Sequence, residues 1–186
     1  MKVIINDMLD VARINEGLDM HCEPTDLLPI LEKVVGEARG RAPDHVVAID
    51  GDASLPRVIG DGQKLIQVFS NLVDNAIKYS PEGGDIRVNA RHDVTSRRVV
   101  VSVSDPGLGI SEAEQRNLFT TFHRVQRAET IHIGGTGLGL YIVKRLTELM
   151  SGEIWLDSVL DRGTTFYVAL PAEPGASESA GELRSA

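Results

Sequence analysis

Residues 67–80 read QVFSNLVDNAIKYS, and this stretch predicts a helix with two separate faces. The apolar side chains recur at helical spacing and predict one face packed against a core. They are Leu65, Phe69, Leu72 and Ala76. Asn71, Asn75 and Lys78 share a second, polar face at the same spacing. The helix is predicted over about 62–79, after the N-cap residue Asp61 and before the turn at Ser80-Pro81-Glu82-Gly83-Gly84.

The polar face of this helix has a functional interpretation and a simple structural one. Two amide oxygens on one helical line suit a hard cation such as Mg²⁺, and the lysine ammonium suits a phosphate group. A solvated face is the alternative, although asparagine is a poor helix former and two of them in mid-helix require a reason. The helix alone leaves both interpretations open.

Residues 99–110, VVVSVSDPGLGI, predict a strand that ends in a glycine turn. Period-two alternation puts Asp105 on the same side as Val101 and Val103, so a carboxylate ends a buried face. Such a carboxylate needs a donor, and the exocyclic N6 amine of adenine would be suitable. Gly107 and Gly109 would let the backbone approach the base. An ordinary aspartate between a strand and a turn is the alternative.

Residues 134–140, GGTGLGL, open a further predicted helix. Glycine-rich backbone at a helix N-terminus presents free N–H groups to an anion, which predicts a phosphate cradle; a flexible hinge is the alternative. Gly134 and Gly139 have P-loop spacing, but Leu140 and Tyr141 stand where that motif requires Lys and Ser or Thr. A dinucleotide fingerprint is excluded too, because Leu140 occupies the third glycine position.

The remaining elements predict the fold class. Helices are predicted at 3–15, from Thr25-Asp26 to about 40, at 111–119 and at 138–151, and strands at 46–50, 86–91, 99–104, 153–158 and 164–170. Together they predict an α/β (α+β) two-layer sandwich, with a mixed, mostly antiparallel sheet backed by about three helices. Residues 120–137 lack periodicity and predict a mobile loop. The tail, 172–186, has the composition of a disordered segment.

Composition narrows the class of protein. The net charge of −8 over 186 residues lacks the basic footprint of a nucleic-acid binder. The single Cys22 fits a reducing compartment, and no apolar run reaches the roughly 18 residues of a membrane span. We therefore expect a cytoplasmic domain, and leave open whether its parent protein is anchored in a membrane.

In this order, the motifs resemble those of the ATP-binding catalytic domain of sensor histidine kinases, in the Bergerat or GHKL superfamily. Asn71–Tyr79 is similar to the N box of that family, and Asp105–Ile110 to its G1 box. Leu118–Val125 resembles the F box, Gly135–Leu140 the G2 box, and Gly163–Phe166 the G3 element. The resemblance covers about 26–171 and implies the Bergerat-type fold, with Mg·ATP held under a mobile lid.

The resemblance implies a role for each matching residue. Asn75 would hold Mg²⁺, while Asn71, Lys78 and Arg124 would carry the catalytic contacts to phosphate. ATP would also contact the following residues: Tyr79, Asp105, Gly107, Gly109, Ile110, Gly135, Thr136, Gly137, Leu138, Gly139, Leu140 and Thr165. Pro106 departs from the commoner Asn or Thr and removes a side-chain hydrogen bond from the site.

Residues 1–18 resemble the C-terminal part of the family's dimerisation helix, followed by a linker at 19–25. The resemblance implies a homodimeric parent protein and a receiver domain of a response regulator as partner. The family's phosphoacceptor is a histidine followed directly by an acidic residue, with a proline four residues after the acidic one. None of the five histidines fits that pattern, so we expect the acceptor helix to lie outside this chain.

Three alternative functions are known for proteins with this fold. ATP-hydrolysing clamps have a glutamate four residues before the metal-binding asparagine, and here that position is Asn71, which disfavours hydrolysis by that route. A serine kinase of the anti-sigma-factor type and a nucleotide-binding module without kinase activity remain alternatives. The dimerisation-like helix argues against the former, and the intact motifs argue against the latter.

Overall fold

The computed structural model describes residues 2–52, 54–125, 129–130 and 132–174. The elements, in chain order, are α1 (Lys2–Asn15), β1 (Glu23–Thr25), α2 (Leu27–Arg41), β2 (His45–Gly51), β3 (Val58–Gly60), α3 (Gly62–Lys78), β4 (Gly84–Asp93), β5 (Arg98–Asp105), α4 (Glu112–Gln115), α5 (Gly139–Leu149), β6 (Glu153–Ser158) and β7 (Thr164–Pro171). None of the helices in these ranges is long and apolar enough to cross a membrane.

The main sheet has five strands in the order β2-β4-β5-β7-β6. The β2–β4 pair is parallel, and the other three pairs are antiparallel. The apolar faces of α2, α3 and α5 bury against one side of this sheet, where Phe69, Ile86 and Ile142 are fully buried. The predicted two-layer sandwich with a mixed, mostly antiparallel sheet is confirmed.

The opposite side of the sheet carries no helix of the described part of the chain. Trp155 and Tyr167 are paired across β6 and β7, and their rings stack with centroids 5.2 Å apart. Strand alternation turns Tyr167 away from its buried neighbours Phe166 and Val168, so the stacked pair lies on the side away from the helices.

Helix α3 begins as the sequence predicts. The Asp61 side chain accepts hydrogen bonds from the N–H groups of Gln63 and Lys64 at 3.0 and 3.2 Å. Helix α2 also begins after its expected cap, but the Asp26 side chain makes no capping hydrogen bond. The adjacent hydroxyl of Thr25 donates to the Gly60 carbonyl instead, at 3.0 Å.

That contact belongs to a small second sheet that the sequence pattern did not predict. Strands β1 and β3 pair antiparallel, so residues 23–25, expected in a linker, are part of ordered structure. Each strand has three residues, which is too short for a period-two pattern to be visible.

Two predicted boundaries are wrong. The helix expected over 111–119 forms its capping box, with the Glu114 carboxylate accepting from the Ser111 N–H at 3.1 Å, but α4 ends at Gln115. The Gln115 side chain donates to the carbonyls of Ile110 and Ser158, and the chain continues in tight turns. Disorder was expected from residue 172, yet Glu173 pairs with Arg57 at 2.9 Å. Residues 175–186 lie outside the described ranges.

Candidate functional site

A cavity of about 420 Å³ lies between α3, the end of β5 and the segment that precedes α5. Its lining includes polar groups from three distant stretches of sequence, namely Asn71, Asn75 and Lys78 of α3, Asp105 of β5, and the glycine loop 134–140. The volume is in the range of small-molecule and cofactor sites. The structure therefore brings together the three motifs that the sequence marked separately.

Helix α3 turns its polar face into this cavity because its apolar face is fixed in the core. Leu65, Phe69 and Leu72 are fully buried, which leaves the Asn71–Asn75–Lys78 line directed at the cavity. The Asn71 side-chain amide donates to the Gln67 carbonyl at 3.1 Å. Its oxygen, together with the second N–H of the amide group, therefore remains for another partner.

Asp105 is a buried carboxylate in the wall of the cavity, with 8% of its surface exposed. Burial raises its pKa to about 6, although the backbone N–H of Gly107, which donates to Oδ1 at 2.9 Å, opposes that rise. A buried acceptor that is not fully compensated suits a ligand that brings its own N–H donor.

The loop after Asp105 is pressed against the C-terminal end of α3. A Cβ atom at Gly107 would lie 2.0 Å from the Tyr79 carbonyl oxygen, so this position has no room for a side chain. The Leu108 N–H donates to the same carbonyl at 2.9 Å. Gly107 itself does not line the cavity, but the close approach that it permits puts Leu108 and Tyr79 side by side in the wall.

The next residues of that loop are attached to the β6–β7 turn. Gly109 has φ +61°, and a Cβ there would lie 2.0 Å from the Val159 carbonyl oxygen. The Ile110 N–H donates to Ser158 Oγ at 2.9 Å, and the Asp161 N–H donates to the Leu108 carbonyl at 2.9 Å. These bonds hold the wall that carries Gly109 and Ile110 in one position.

The glycine loop forms the opposite wall and leads into α5. A Cβ at Gly134 or Gly135 would meet no atom within 4 Å, so the backbone there is open to the cavity. Gly137 has φ +72°, and its Cβ would lie 2.8 Å from the Phe122 carbonyl carbon. Gly139 begins α5, whose first N–H groups have no partner within the helix.

The third wall comes from residues 118–130. Leu118, His123, Arg124, Val125 and Thr130 line the cavity, and Arg124 Nη2 donates to the Ile133 carbonyl at 2.5 Å. Burial raises the pKa of Tyr79, while the guanidinium of Arg124 lowers it. The charge of Arg124 therefore acts on Tyr79, which lines the same cavity.

The structure brings most of the predicted contact residues to the cavity and leaves three of them out of its lining. Gly107, Leu138 and Thr165 do not line it. Leu138 is buried beneath the glycine loop, and the Thr165 hydroxyl donates to Ser104 Oγ at 2.9 Å. Thr164, paired with Asp105 across β5 and β7, lines the cavity in place of Thr165.

The cavity is also lined by residues that were not among the predicted contact residues, although most of them lie within the motifs. These are Asp7, Asp74, Leu108, Leu118, His123, Val125, Thr130, Gly134, Thr164 and Phe166. Asp74 follows Asn71 by three residues, so helical spacing alone would have put it on the same face. Asp7 is different. It lies on α1, far from the motifs in sequence, and no pattern in the sequence around it indicated that it would line the cavity.

Comparison with known proteins gives one family and a consistent group of relatives. Residues 60–174 match the family described as histidine kinase-, DNA gyrase B-, and HSP90-like ATPase. The adaptive-response sensory kinase SasA of Synechococcus sp. (strain JA-3-3Ab) is 38% identical over 174 residues, which are 92% of this chain and 45% of that protein. The chain spans less than half the length of the curated relatives it matches.

Solved structures agree with the sequence relatives. Full-length ShkA in complex with AMPPNP superposes with a TM-score of 0.78 at 27% identity, covering 91% of this chain and 35% of ShkA. The mycobacterial sensor histidine kinase MprB gives a TM-score of 0.71 at 28% identity, covering 82% of this chain and 99% of the MprB chain. Both similarities extend over nearly the whole described fold.

Proposed function

Since this chain belongs to the family of histidine kinase-, DNA gyrase B- and HSP90-like ATPases, we propose that it is the ATP-binding catalytic domain of a two-component sensor histidine kinase. Its reaction is the transfer of the γ-phosphoryl group of Mg·ATP to a histidine on a dimerisation helix outside this chain. In the homodimeric parent protein, a receiver domain of a response regulator then takes the phosphoryl group.

One observation carries this proposal. Amide, ammonium and carboxylate groups from α3 and β5 meet the glycine loop in one cavity, although they are up to 68 residues apart between Asn71 and Gly139. At one end of the cavity, the Asp105 carboxylate can accept a hydrogen bond from a ligand. At the other end, the cationic side chains and the backbone N–H groups of the glycine loop can bind an anion. A nucleotide has the matching polarity, with an amine on its base and an anionic triphosphate.

The base end of the cavity is assigned to Asp105, Tyr79, Gly109, Ile110 and Leu108. Asp105 accepts a hydrogen bond from the adenine N6 amine, and the fixed backbone at Gly109 and Ile110 forms the edge of the adenine pocket. Thr164 and Phe166 complete this wall from β7. Because Asp105 is buried, the bond it makes to the base is shielded from competing water.

The phosphate end is assigned to the glycine loop and two cationic side chains. Gly135, Thr136, Gly137, Gly139 and Leu140 present backbone to the phosphate groups at the N-terminus of α5. Lys78 and Arg124 supply positive charge from two different walls. Leu138 contributes to this end indirectly, since its side chain is buried in the core and fixes the glycine loop in place.

The donor set of this end fits Mg²⁺. Asn75 lines the cavity one helical turn from Asn71, and an amide oxygen with phosphate oxygens and water is a normal environment for this ion. When bound, the ion supplies charge neutralisation for phosphoryl transfer. The protein side chains contribute position, holding the terminal phosphate between Asn71, Lys78 and Arg124.

Asn71 also explains why transfer, not hydrolysis, is proposed. An amide does not act as a general base toward water, and the Asn71 NH₂ group already donates to the Gln67 carbonyl. No side chain of the assigned set is placed to activate water by the glutamate route of the clamp ATPases. In line with the family resemblance, the base for the acceptor histidine is assigned to the acidic residue beside the acceptor, outside this chain.

Two measurements test the proposal. Calorimetric titration with Mg·ATP should give binding to the unmodified chain and at least about tenfold weaker binding for Asn75→Ala and for Asp105→Ala. Asn89→Ala, on β4 outside the cavity lining, is the matched control and should bind as the unmodified chain does. Unchanged affinity in both site variants would refute the assignment of the cavity.

The second measurement tests the reaction. Radiolabelled ATP should label a dimerisation fragment supplied in trans and leave this chain unlabelled. Label on a serine of a partner protein would favour the anti-sigma-factor type of kinase, and binding without any transfer would favour a module without kinase activity. Label on this chain in the absence of the fragment would overturn the proposal.

A further inference from the structure

Three hydrogen bonds of its described side chains attach helix α1 to the rest of the chain. The Thr136 hydroxyl donates to Asp7 Oδ2 at 2.8 Å, and the Gln67 side-chain amide donates to Asp10 Oδ2 at 2.7 Å. The Tyr141 hydroxyl donates to Asn15 Oδ1 at 3.4 Å. The helix therefore contacts the glycine loop, α3 and α5 in turn along its length.

Within residues 7–15, whose side chains the structure describes, the two ends of α1 are held by different forces. Near its C-terminal end, Ile14 is buried to 5% exposure and Val11 packs against the core. Further toward the N-terminus, Met8 and Leu9 are half exposed, so the polar bonds of Asp7 and Asp10 carry the attachment there. The C-terminal end is suited to act as a pivot, because apolar burial persists when polar bonds exchange with water.

Two helices each contribute a carboxylate to the lining of the cavity, Asp7 from α1 and Asp74 from α3, and the two differ in their partners. Both Asp7 and Asp74 line the cavity, but Asp74 forms an ion pair with Arg41 at 3.1 Å. Within the described side chains, Asp7 has no cationic partner, and its bond is to the neutral Thr136 hydroxyl. The same hydroxyl accepts from the Leu138 N–H at 3.2 Å, which ties Asp7 to the backbone of the phosphate-facing loop.

We propose that Asp7 makes an autoinhibitory contact, in which its carboxylate competes with nucleotide phosphate groups for the glycine loop at Thr136. This inference rests on the proposed function, since it requires phosphate at that end of the cavity. Bound triphosphate brings a net negative charge next to Asp7, so the Asp7–Thr136 bond and the bound nucleotide oppose each other. Nucleotide binding then releases the N-terminal part of α1 about its buried C-terminal anchor.

Asp7→Asn and Asp10→Asn form a matched pair for the test. Both substitutions keep the shape of the side chain and remove one charge from α1, but only Asp7 lines the cavity. Calorimetry with the nonhydrolysable triphosphate AMPPNP should show about three- to tenfold tighter binding for Asp7→Asn and no change for Asp10→Asn. With AMP, whose single phosphate lies farther from Asp7, the Asp7→Asn gain should largely disappear.

Hydrogen exchange of the unmodified chain gives an independent readout. AMPPNP should increase amide exchange in peptides covering 7–13 and decrease it in peptides of the glycine loop. Weaker AMPPNP binding by Asp7→Asn would show that Asp7 supports the nucleotide and would overturn the inference. Equal affinity of both variants and the unmodified chain would overturn it too. A complete lack of nucleotide binding by the unmodified chain would instead refute the proposed function.

Discussion

Replacing Asp105 with asparagine should stabilise the nucleotide-free protein while it weakens nucleotide binding. The substitution keeps an oxygen for the Gly107 N–H but removes a charge from a site that is 8% exposed. The rise in the Asp105 pKa from 3.8 to about 6 corresponds to about 3 kcal/mol. The charge therefore costs the folded state free energy at neutral pH.

The sign of the pH dependence follows from the direction of this shift. Because the folded state binds the Asp105 proton more tightly than the unfolded chain does, acidification favours folding at this residue. Its contribution is fully present below the unfolded pKa of 3.8 and is lost as the pH rises through about 6. At about pH 5 it amounts to roughly 1.4 kcal/mol relative to about pH 7.5.

Urea unfolding of the unmodified chain and of Asp105→Asn, measured across this pH range, tests the reasoning. The difference between the two free energies of unfolding cancels the titration of every other group that both proteins share. At about pH 7.5 the variant should be more stable by about 1–3 kcal/mol, and its advantage should shrink toward about pH 4.5. A difference that stays flat with pH would refute the reasoning, as would a variant that is less stable at about pH 7.5.

Four further substitutions test the backbone and the helix ends. Gly137→Ala should cost about 1–3 kcal/mol in urea unfolding and weaken Mg·ATP binding in calorimetry, because φ is +72° and the new Cβ would lie 2.8 Å from the Phe122 carbonyl carbon; an unaffected variant would show that the loop adapts freely. Gly36→Ala, on an exposed part of α2 where a Cβ meets nothing within 4 Å, should raise the free energy of unfolding by about 0.5–1 kcal/mol, and a loss of stability would contradict this. Asp61→Ala should cost about 0.5–2 kcal/mol in urea unfolding, whereas Asp26→Ala should cost less because its side chain makes no capping bond; equal losses would count against the assigned caps.

Long elements with a clear period could be predicted from the sequence, because local spacing and tertiary burial agree there. The apolar face of α3 and the alternation of Val99, Val101 and Val103 are such cases, and all of these residues are buried. The pairing of β1 with β3 could not be predicted, because three residues contain no repeat and Pro24 disfavours a strand. The same limit applies to the end of α4, which depends on the Gln115 side chain bonding carbonyls far along the chain.

The composition of the cavity was predictable where one element carries the signal. Asn71, Asn75 and Lys78 share a helical face, and Asp105 ends a buried strand, so spacing indicated both groups. The alternation of side chains along β7 could also have distinguished Thr164 from Thr165. Thr164 lies on the same side as the buried Phe166, Val168 and Leu170, whereas Thr165 lies on the other side. Asp7 carried no such signal, because its contact to Thr136 spans 129 residues.

The stacked Trp155–Tyr167 pair provides a fluorescence signal for the unfolding experiments. Trp155 is the single tryptophan of the chain, and it lies on the side of the sheet away from the helices and the cavity. Its fluorescence should change when the β6–β7 pairing is lost, which makes it a reporter of global unfolding in urea. It should stay nearly constant when a nucleotide binds, so stability and ligand binding can be followed in one sample by independent signals.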